Sequence, residues 1–166
     1  LNSEFDVSTV RYYMPLKDIA EERNDNLMTH EKPSWDKYFL EMAEVIAKRS
    51  PDKKRQVGCV IVDEHRRVVA TGYNGTPASF DDSKVDWWDR TIKDRIVIHA
   101  EANALIYADG PKLRGGTLYC SYSPCINCAK LIAAAGINRV VYREQFDDAG
   151  LEMLSEFRVD TNCVSS

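Results

Sequence analysis

The sequence predicts an α/β domain of three layers, α/β/α, around a central mixed sheet of about five strands. Three observations lead there. Apolar residues recur at helical spacing across 35–46 and again across 149–157. Short β-branched runs (VGCVIVD, VVATGY, GTLYCSY and RVVY) read as strands. After an opening helix and a hairpin, the two kinds of segment alternate.

Pro33-Ser34 opens the first helix, with Trp35, Phe39, Met42 and Ile46 on one face and Tyr38 and Val45 beside them; it ends near Arg49-Ser50-Pro51. VGCVIVD (57–63), the charged turn EHRR and VVATGY (68–73) form a hairpin, broken by Asn74-Gly75-Thr76-Pro77. Residues 76–97 are a polar connection holding Trp87-Trp88, and a connection of that length in a small domain is often functional. A helix then runs from IHAEANAL to Tyr107-Ala108, stopped by Asp109-Gly110-Pro111. A strand (116–122), a helix (128–135) stopped by Gly136, a strand (139–142) and an amphipathic helix (149–157) complete the order. Residues 1–33 show no sustained period and are expected to be a partly mobile extension, which leaves 34–166 as the folded domain.

The totals narrow the function classes. The chain has 166 residues, a formal net charge of -4 and a sequence pI of about 5.4. A protein that tracks nucleic-acid polymers carries a basic stripe; the only basic cluster here, KRSPDKKR at 48–55, suits one phosphate. No apolar run approaches the roughly 18 residues of a membrane span. The polar start LNSEFDVSTVRYY lacks the pattern of a secretory leader. No membrane partner, no nucleic-acid polymer and a cytoplasmic location are therefore expected.

Of the five cysteines, Cys59 and Cys120 sit in apolar runs and Cys163 in a polar tail, where structural or incidental roles suffice. An odd count argues against a disulfide framework. Cys125 and Cys128 are different. Spaced as PCxxC at the start of a helix, they lie on one side of its first turn and can share a tetrahedral metal. His99 opens the preceding helix and supplies a third donor. Three protein ligands rather than four is the pattern of a catalytic zinc with an open position. Helix starts also favour thiolate over thiol. Glu101 lies two residues beyond His99, about 200° round an ideal helix, so it is placed beside the metal as a base rather than on it as a ligand.

H-x-E followed by P-C-x-x-C is the signature of zinc-dependent nucleobase deaminases. WDKYFLEMAEVIAKRS, VGCVIVDEHRRVVATGYNGTP, HAEANAL and SPCINCAKLIAAAGINRVVY, in that order, resemble the deoxycytidylate (dCMP) branch of the cytidine and deoxycytidylate deaminase superfamily over residues 35–142. The resemblance implies a cytidine-deaminase-like fold and hydrolysis of dCMP to dUMP and ammonia, which supplies thymidylate synthesis. It implies one Zn2+ on His99, Cys125 and Cys128, with Glu101 carrying protons from water to N3 and to the departing amine. It also implies that Asn74 contacts the sugar, that the backbone around Ala100 and Ser123 lines the base pocket, and that Tyr142 lies near the substrate. Arg49 and Ser50 match the family RS pair expected at the 5′-phosphate, with Lys53, Lys54 and Arg55 as further candidates.

Regulation is implied in the same way. dCTP activates, dTTP inhibits, Mg2+ accompanies the triphosphate, and the GYNG residues Gly72, Tyr73, Asn74 and Gly75 help form that second site in a homohexamer. One departure stands out. Many relatives carry a second, structural zinc on a Cys just after the RS pair and on Cys or His in the following connection. This chain has Pro51-Asp52 there and neither Cys nor His over 76–97, so one zinc per subunit is expected. The rival readings are a deaminase for cytosine, guanine, cytidine or tRNA adenosine, a non-catalytic zinc protein of the same fold, and a redox CxxC protein. GYNG with RS favours the mononucleotide, and Glu101 has no use in a purely structural zinc site.

Overall fold

A computed structural model describes residues 31–165; the expected extension falls almost wholly on residues outside that range. In chain order the elements are α1 (Trp35–Ala47), β1 (Gly58–Val62), β2 (Val68–Tyr73), α2 (Arg90–Ile96), α3 (Ala100–Ile106), β3 (Thr117–Tyr122), α4 (Ile126–Ala134), β4 (Arg139–Glu144), α5 (Asp148–Glu156) and β5 (Asp160–Cys163). Two short 3-10 turns, Asp82–Lys84 and Gly110–Leu113, lie in the connections. Among the described residues no helix is long and apolar enough to cross a membrane.

The strands form one mixed sheet in the order β2-β1-β3-β4-β5. β1 runs antiparallel to both β2 and β3, while β3, β4 and β5 pair in parallel. Only β1 therefore opposes the common direction. Parallel strands need a crossover that packs on the sheet. α4 and α5 supply two of them, and the segment carrying α2 and α3 supplies the third by passing from β2 to β3 over β1. A helix that follows a parallel strand begins at the strand's carboxyl end, so α3 and α4 start at the same edge of the sheet. That edge holds the site.

The two faces of the sheet bury separate cores. Cys59, Ile61, Leu118, Cys120, Val140 and Tyr142 pack with Ala100, Ala104, Cys128, Ala129, Ile132 and Leu154 from α3, α4 and α5. On the other face Val60, Val62, Tyr119 and Val141 meet Phe39, Leu40 and Ala43 of α1. Each large side chain so enclosed contributes about 1.5–3 kcal/mol.

Helix α1 turns a different stripe inward from the one its large residues suggest. Phe39, Leu40, Ala43 and Ala47 are buried, whereas Trp35 is 51% exposed and Val45 64%. Gly58 explains the rotation. A Cβ there would lie 2.0 Å from the Ala43 carbonyl oxygen and 2.5 Å from Ala47 N, so the helix backbone sits directly on β1. Only alanines fit that line, and Met42 and Ile46 pack at its margin.

Two elements have no apolar pattern. α2 (RTIKDRI) exists because Asp89 caps it, accepting from Thr91 N and Ile92 N. β5 (DTNC) is an edge strand held by backbone pairing to β4, with Arg139 opposite Asp160 and Tyr142 opposite Cys163. Cys163 thus belongs to the sheet's edge.

A partly buried ion pair ties α1 to the start of β4. Arg139 Nη1 and Nη2 donate to Asp36 Oδ1 and Oδ2, each at 2.8 Å, and the Tyr119 hydroxyl donates to Asp36 Oδ1 at 3.2 Å. The Arg139 hydrogen bond holds the Asp36 carboxyl below the ordinary aspartate value of 3.8. A lowered carboxyl adds stability above the unfolded value and loses it as pH falls through the folded one. Asp36→Asn should therefore cost about 1–2 kcal/mol at neutral pH, the pair being partly solvated. In urea titrations the gap between wild type and variant should close as pH drops below 3.8; a gap independent of pH would remove the ion pair from the account.

Candidate metal centre and active site

His99 is the N-cap of α3, in extended backbone (φ -68°, ψ 155°) and with no side-chain capping bond. Its position is set from both sides. Ile98 pairs reciprocally with Gly75, N to O at 2.8 and 3.1 Å, just past the end of β2. Asn103 Nδ2 donates to Tyr73 O at 2.8 Å, fixing α3 to the same strand end. Gly72 allows the approach: a Cβ there would lie 2.3 Å from Ala100 O and 2.5 Å from Ala104 N. Within GYNG, Gly72 is thus required by packing.

Cys125 is the N-cap of α4 (φ -73°, ψ 167°), also without a capping bond, and Cys128 lies within the helix. Gly150 of α5 receives the preceding turn, since a Cβ there would fall 1.9 Å from Pro124 O. Sequence spacing and sheet topology then converge. His99 Nδ1 stands 3.4 Å from Cys125 Sγ and 3.5 Å from Cys128 Sγ, and the three donors lie within 4.8 Å of one another.

This donor set fits zinc. Ligand bonds of about 2.0 Å to nitrogen and 2.3 Å to sulfur at a tetrahedral angle give an N···S edge of about 3.5 Å, close to the separations found. The Cys125 thiol is brought down to about 3, first by its hydrogen bond with Cys128 and then by His99; the same pairing and burial push Cys128 up. Thiolate ligands must lose their protons before they bind a metal, so affinity falls with falling pH.

Glu101 is buried, 4% exposed, in the first turn of α3. Burial pushes its carboxyl upward, and Cys128 is among its hydrogen-bond neighbours. A carboxyl raised by desolvation beside a metal centre suits both taking and giving a proton.

The residues expected to recognise substrate are placed less uniformly. Ala100 is wholly buried behind His99. Ser123 N donates to Glu144 O, and its Oγ accepts from Phe146 N (2.7 Å) and Asp147 N (3.1 Å), so it organises the turn after β4. Tyr142 is packed in the core on the metal-centre face. Asn74 is buried and does not have positive φ. Its Oδ1 accepts from Val57 N (2.8 Å) and its Nδ2 donates to Arg55 O (2.9 Å). Ser50 Oγ donates to Asn74 O (2.7 Å) and accepts from Asp52 N (3.2 Å). Arg49, Lys53, Lys54 and Arg55 are exposed.

One pair escaped the sequence reading. Asp52 is 1% exposed, forms an ion pair with Lys93 of α2, and accepts from Lys54 N (2.8 Å) and Arg55 N (3.2 Å). It pins the 76–97 connection to the loop before β1. These are the two segments in which the family resemblance places a second zinc. Nothing in either segment alone signals the pairing.

Fold and site together define a class: an α/β domain built round a three-donor metal centre of catalytic type, with a buried acid beside it. Residues 33–144 match the family described as cytidine and deoxycytidylate deaminase zinc-binding region, and the chain belongs to that family. It is 41% identical over 126 residues to the deoxycytidylate deaminase of Mycobacterium phage D29, covering 69% of this chain and 98% of the relative. It is 38% identical over 136 residues to that of Saccharomyces cerevisiae, covering 77% of this chain but only 43% of the longer yeast protein. Among solved structures, dCMP deaminase of cyanophage S-TIM5 superposes with a TM-score of 0.65 at 30% identity, covering 81% of this chain and all of that one. The chain is thus an enzyme, a hydrolase of the deaminase family.

Removing one partner of a buried ion pair strands the other charge, at about 3–5 kcal/mol. Asp52→Asn and Lys93→Met should each lower stability on that scale in chemical denaturation. The double variant should cost less than the sum. Strictly additive losses would show that the two side chains do not act as a pair.

Proposed function

We propose that the chain hydrolyses dCMP to dUMP and ammonia. The observation that carries the reading is the convergence of His99, Cys125 and Cys128 at two helix starts with the Glu101 carboxyl beside them. Its support from relatives is specific. The phage and yeast relatives are named deoxycytidylate deaminases, and the cyanophage enzyme has been solved with dCMP and dUMP.

In this reading His99 Nδ1 and the two thiolates hold zinc, which when bound lowers the pKa of a water and polarises the reacting centre. Glu101 does the proton work. Its carboxylate takes a proton from the attacking water, delivers it to N3 of the ring, and passes the second to the amino group as ammonia leaves C4. Its burial keeps that proton from exchanging into solvent and brings its affinity closer to the working pH. The backbone at Ala100 and Ser123 lines the base pocket, Tyr142 closes it from the core, and Asn74 faces the sugar. The reading includes regulation: dCTP activates and dTTP inhibits, with Mg2+, at a second site formed by Gly72, Tyr73, Asn74 and Gly75 in a hexamer, with one zinc per subunit.

Ammonia release from zinc-loaded protein, with dCMP and deoxycytidine compared with and without dCTP and Mg2+, tests substrate and regulation together. dCMP should be turned over well above deoxycytidine; equal rates would overturn the nucleotide assignment. Glu101→Gln should retain stoichiometric zinc while turnover falls by about 10²–10⁴-fold. Substantial residual activity in that variant would remove Glu101 as the proton carrier.

A further inference from the structure

Ser50 is poorly placed to bind a phosphate, because its single hydroxyl proton is already given to Asn74 O. An oxyanion needs donors, and the remaining ones nearby are Arg49, Lys53, Lys54 and Arg55, all exposed. Only Arg55 is held. Its guanidinium carbon lies 4.2 Å from the Phe146 ring centroid and 5.3 Å from that of Tyr122. Its backbone is fixed at both ends, N donating to buried Asp52 Oδ1 at 3.2 Å and O accepting from Asn74 Nδ2 at 2.9 Å.

Both rings belong to the metal-centre side. Tyr122 shares the face of β3 that carries Leu118 and Cys120 into that core, and it precedes Cys125 by only three residues. Phe146 N is tied to Ser123 Oγ at 2.7 Å. A guanidinium resting its face on aromatic rings keeps its N–H edges for a ligand. Among the described residues no acceptor takes a hydrogen bond from the Arg55 side chain. Arg139 and Arg143, by contrast, both donate to carboxylates, Asp36 and Glu44. An immobilised fork of free donors matches two oxygens of a phosphate monoester.

We propose that Arg55, held against Tyr122 and Phe146, is the specificity-determining residue that recognises the substrate's 5′-phosphate, with Ser50 acting only to shape the loop beneath it. The assignment rests on the nucleoside-monophosphate reading above. Arg55 confers preference for nucleotide over nucleoside and leaves the handling of the base to the metal centre.

Calorimetric binding of dUMP and of deoxyuridine to the zinc-loaded protein separates the two claims without relying on turnover. Wild type should bind dUMP more tightly than deoxyuridine. Arg55→Gln should lose about 10–100-fold for dUMP and nothing for deoxyuridine, Arg55→Lys should recover part of the loss, and Phe146→Ala should weaken dUMP alone. Lys53→Ala with Lys54→Ala should keep the discrimination. If Arg55→Gln still prefers dUMP as wild type does, the Arg55 assignment is overturned and the substrate reading stands. Equal loss of both ligands would likewise overturn it, by showing a general disturbance. If wild type itself does not distinguish the ligands, phosphate recognition and the nucleotide reading both fall.

Discussion

The direction of the strands governs everything at this site. Because β2, β3, β4 and β5 run one way, the helices that return the chain after β2 and after β3 begin at one edge of the sheet. Two N-caps therefore meet there. Both are in extended backbone and neither spends its side chain on capping, which frees a histidine and a cysteine for other chemistry. A further cysteine within α4 completes the set because residues three apart on a helix share a side. The metal centre is a product of topology as much as of residue choice. Reversing either crossover would leave the same motifs unable to meet.

Glycine at the close contacts makes that topology tight enough. Gly72 lets α3 lie against β2 through Ala100 and Ala104, which places His99 and Glu101 in fixed relation to the strand ends. Gly58 performs the same service for α1 on the opposite face. These contacts explain what was legible in the sequence and what was not. Strands, helix boundaries and the H-x-E and P-C-x-x-C motifs could be read because each is encoded within one helical turn or one strand. The inward face of α1 was misjudged, since large residues there mark the margin and alanines mark the contact. The strand β5 and the helix α2 went unseen because edge pairing and an Asp89 cap hold them, and neither leaves a hydrophobic period.

The polar network before β1 was illegible for a different reason. Asp52 and Lys93 belong to segments far apart in sequence, each charged in a way that usually means solvent. Burial changes their meaning. A carboxylate that is 1% exposed must be neutralised or fully bonded, and Asp52 is met by an ammonium and two backbone donors. Around it Ser50 and Asn74 satisfy one another and the neighbouring backbone, so the loop from 50 to 57 has a defined shape. The RS and GYNG motifs, which look like two separate ligand-binding signals, are physically one unit.

That unit clarifies a division of labour. The metal donors and Glu101 sit on helix starts braced by the sheet, where small displacements are resisted by packing. The cationic groups sit on the loop before β1, where their side chains are exposed to water. Lys53 and Lys54 there are exposed, whereas Arg55 is restrained by two rings and a fixed backbone. Restraint matters because a flexible cation loses side-chain entropy on binding, while a stacked guanidinium has already lost part of it. The same economy explains why Ser50 is buried rather than presented. The hydrogen bonds of Ser50 and Asn74 hold the loop that carries Arg55, so the position of that arginine depends on polar groups lying beneath the surface.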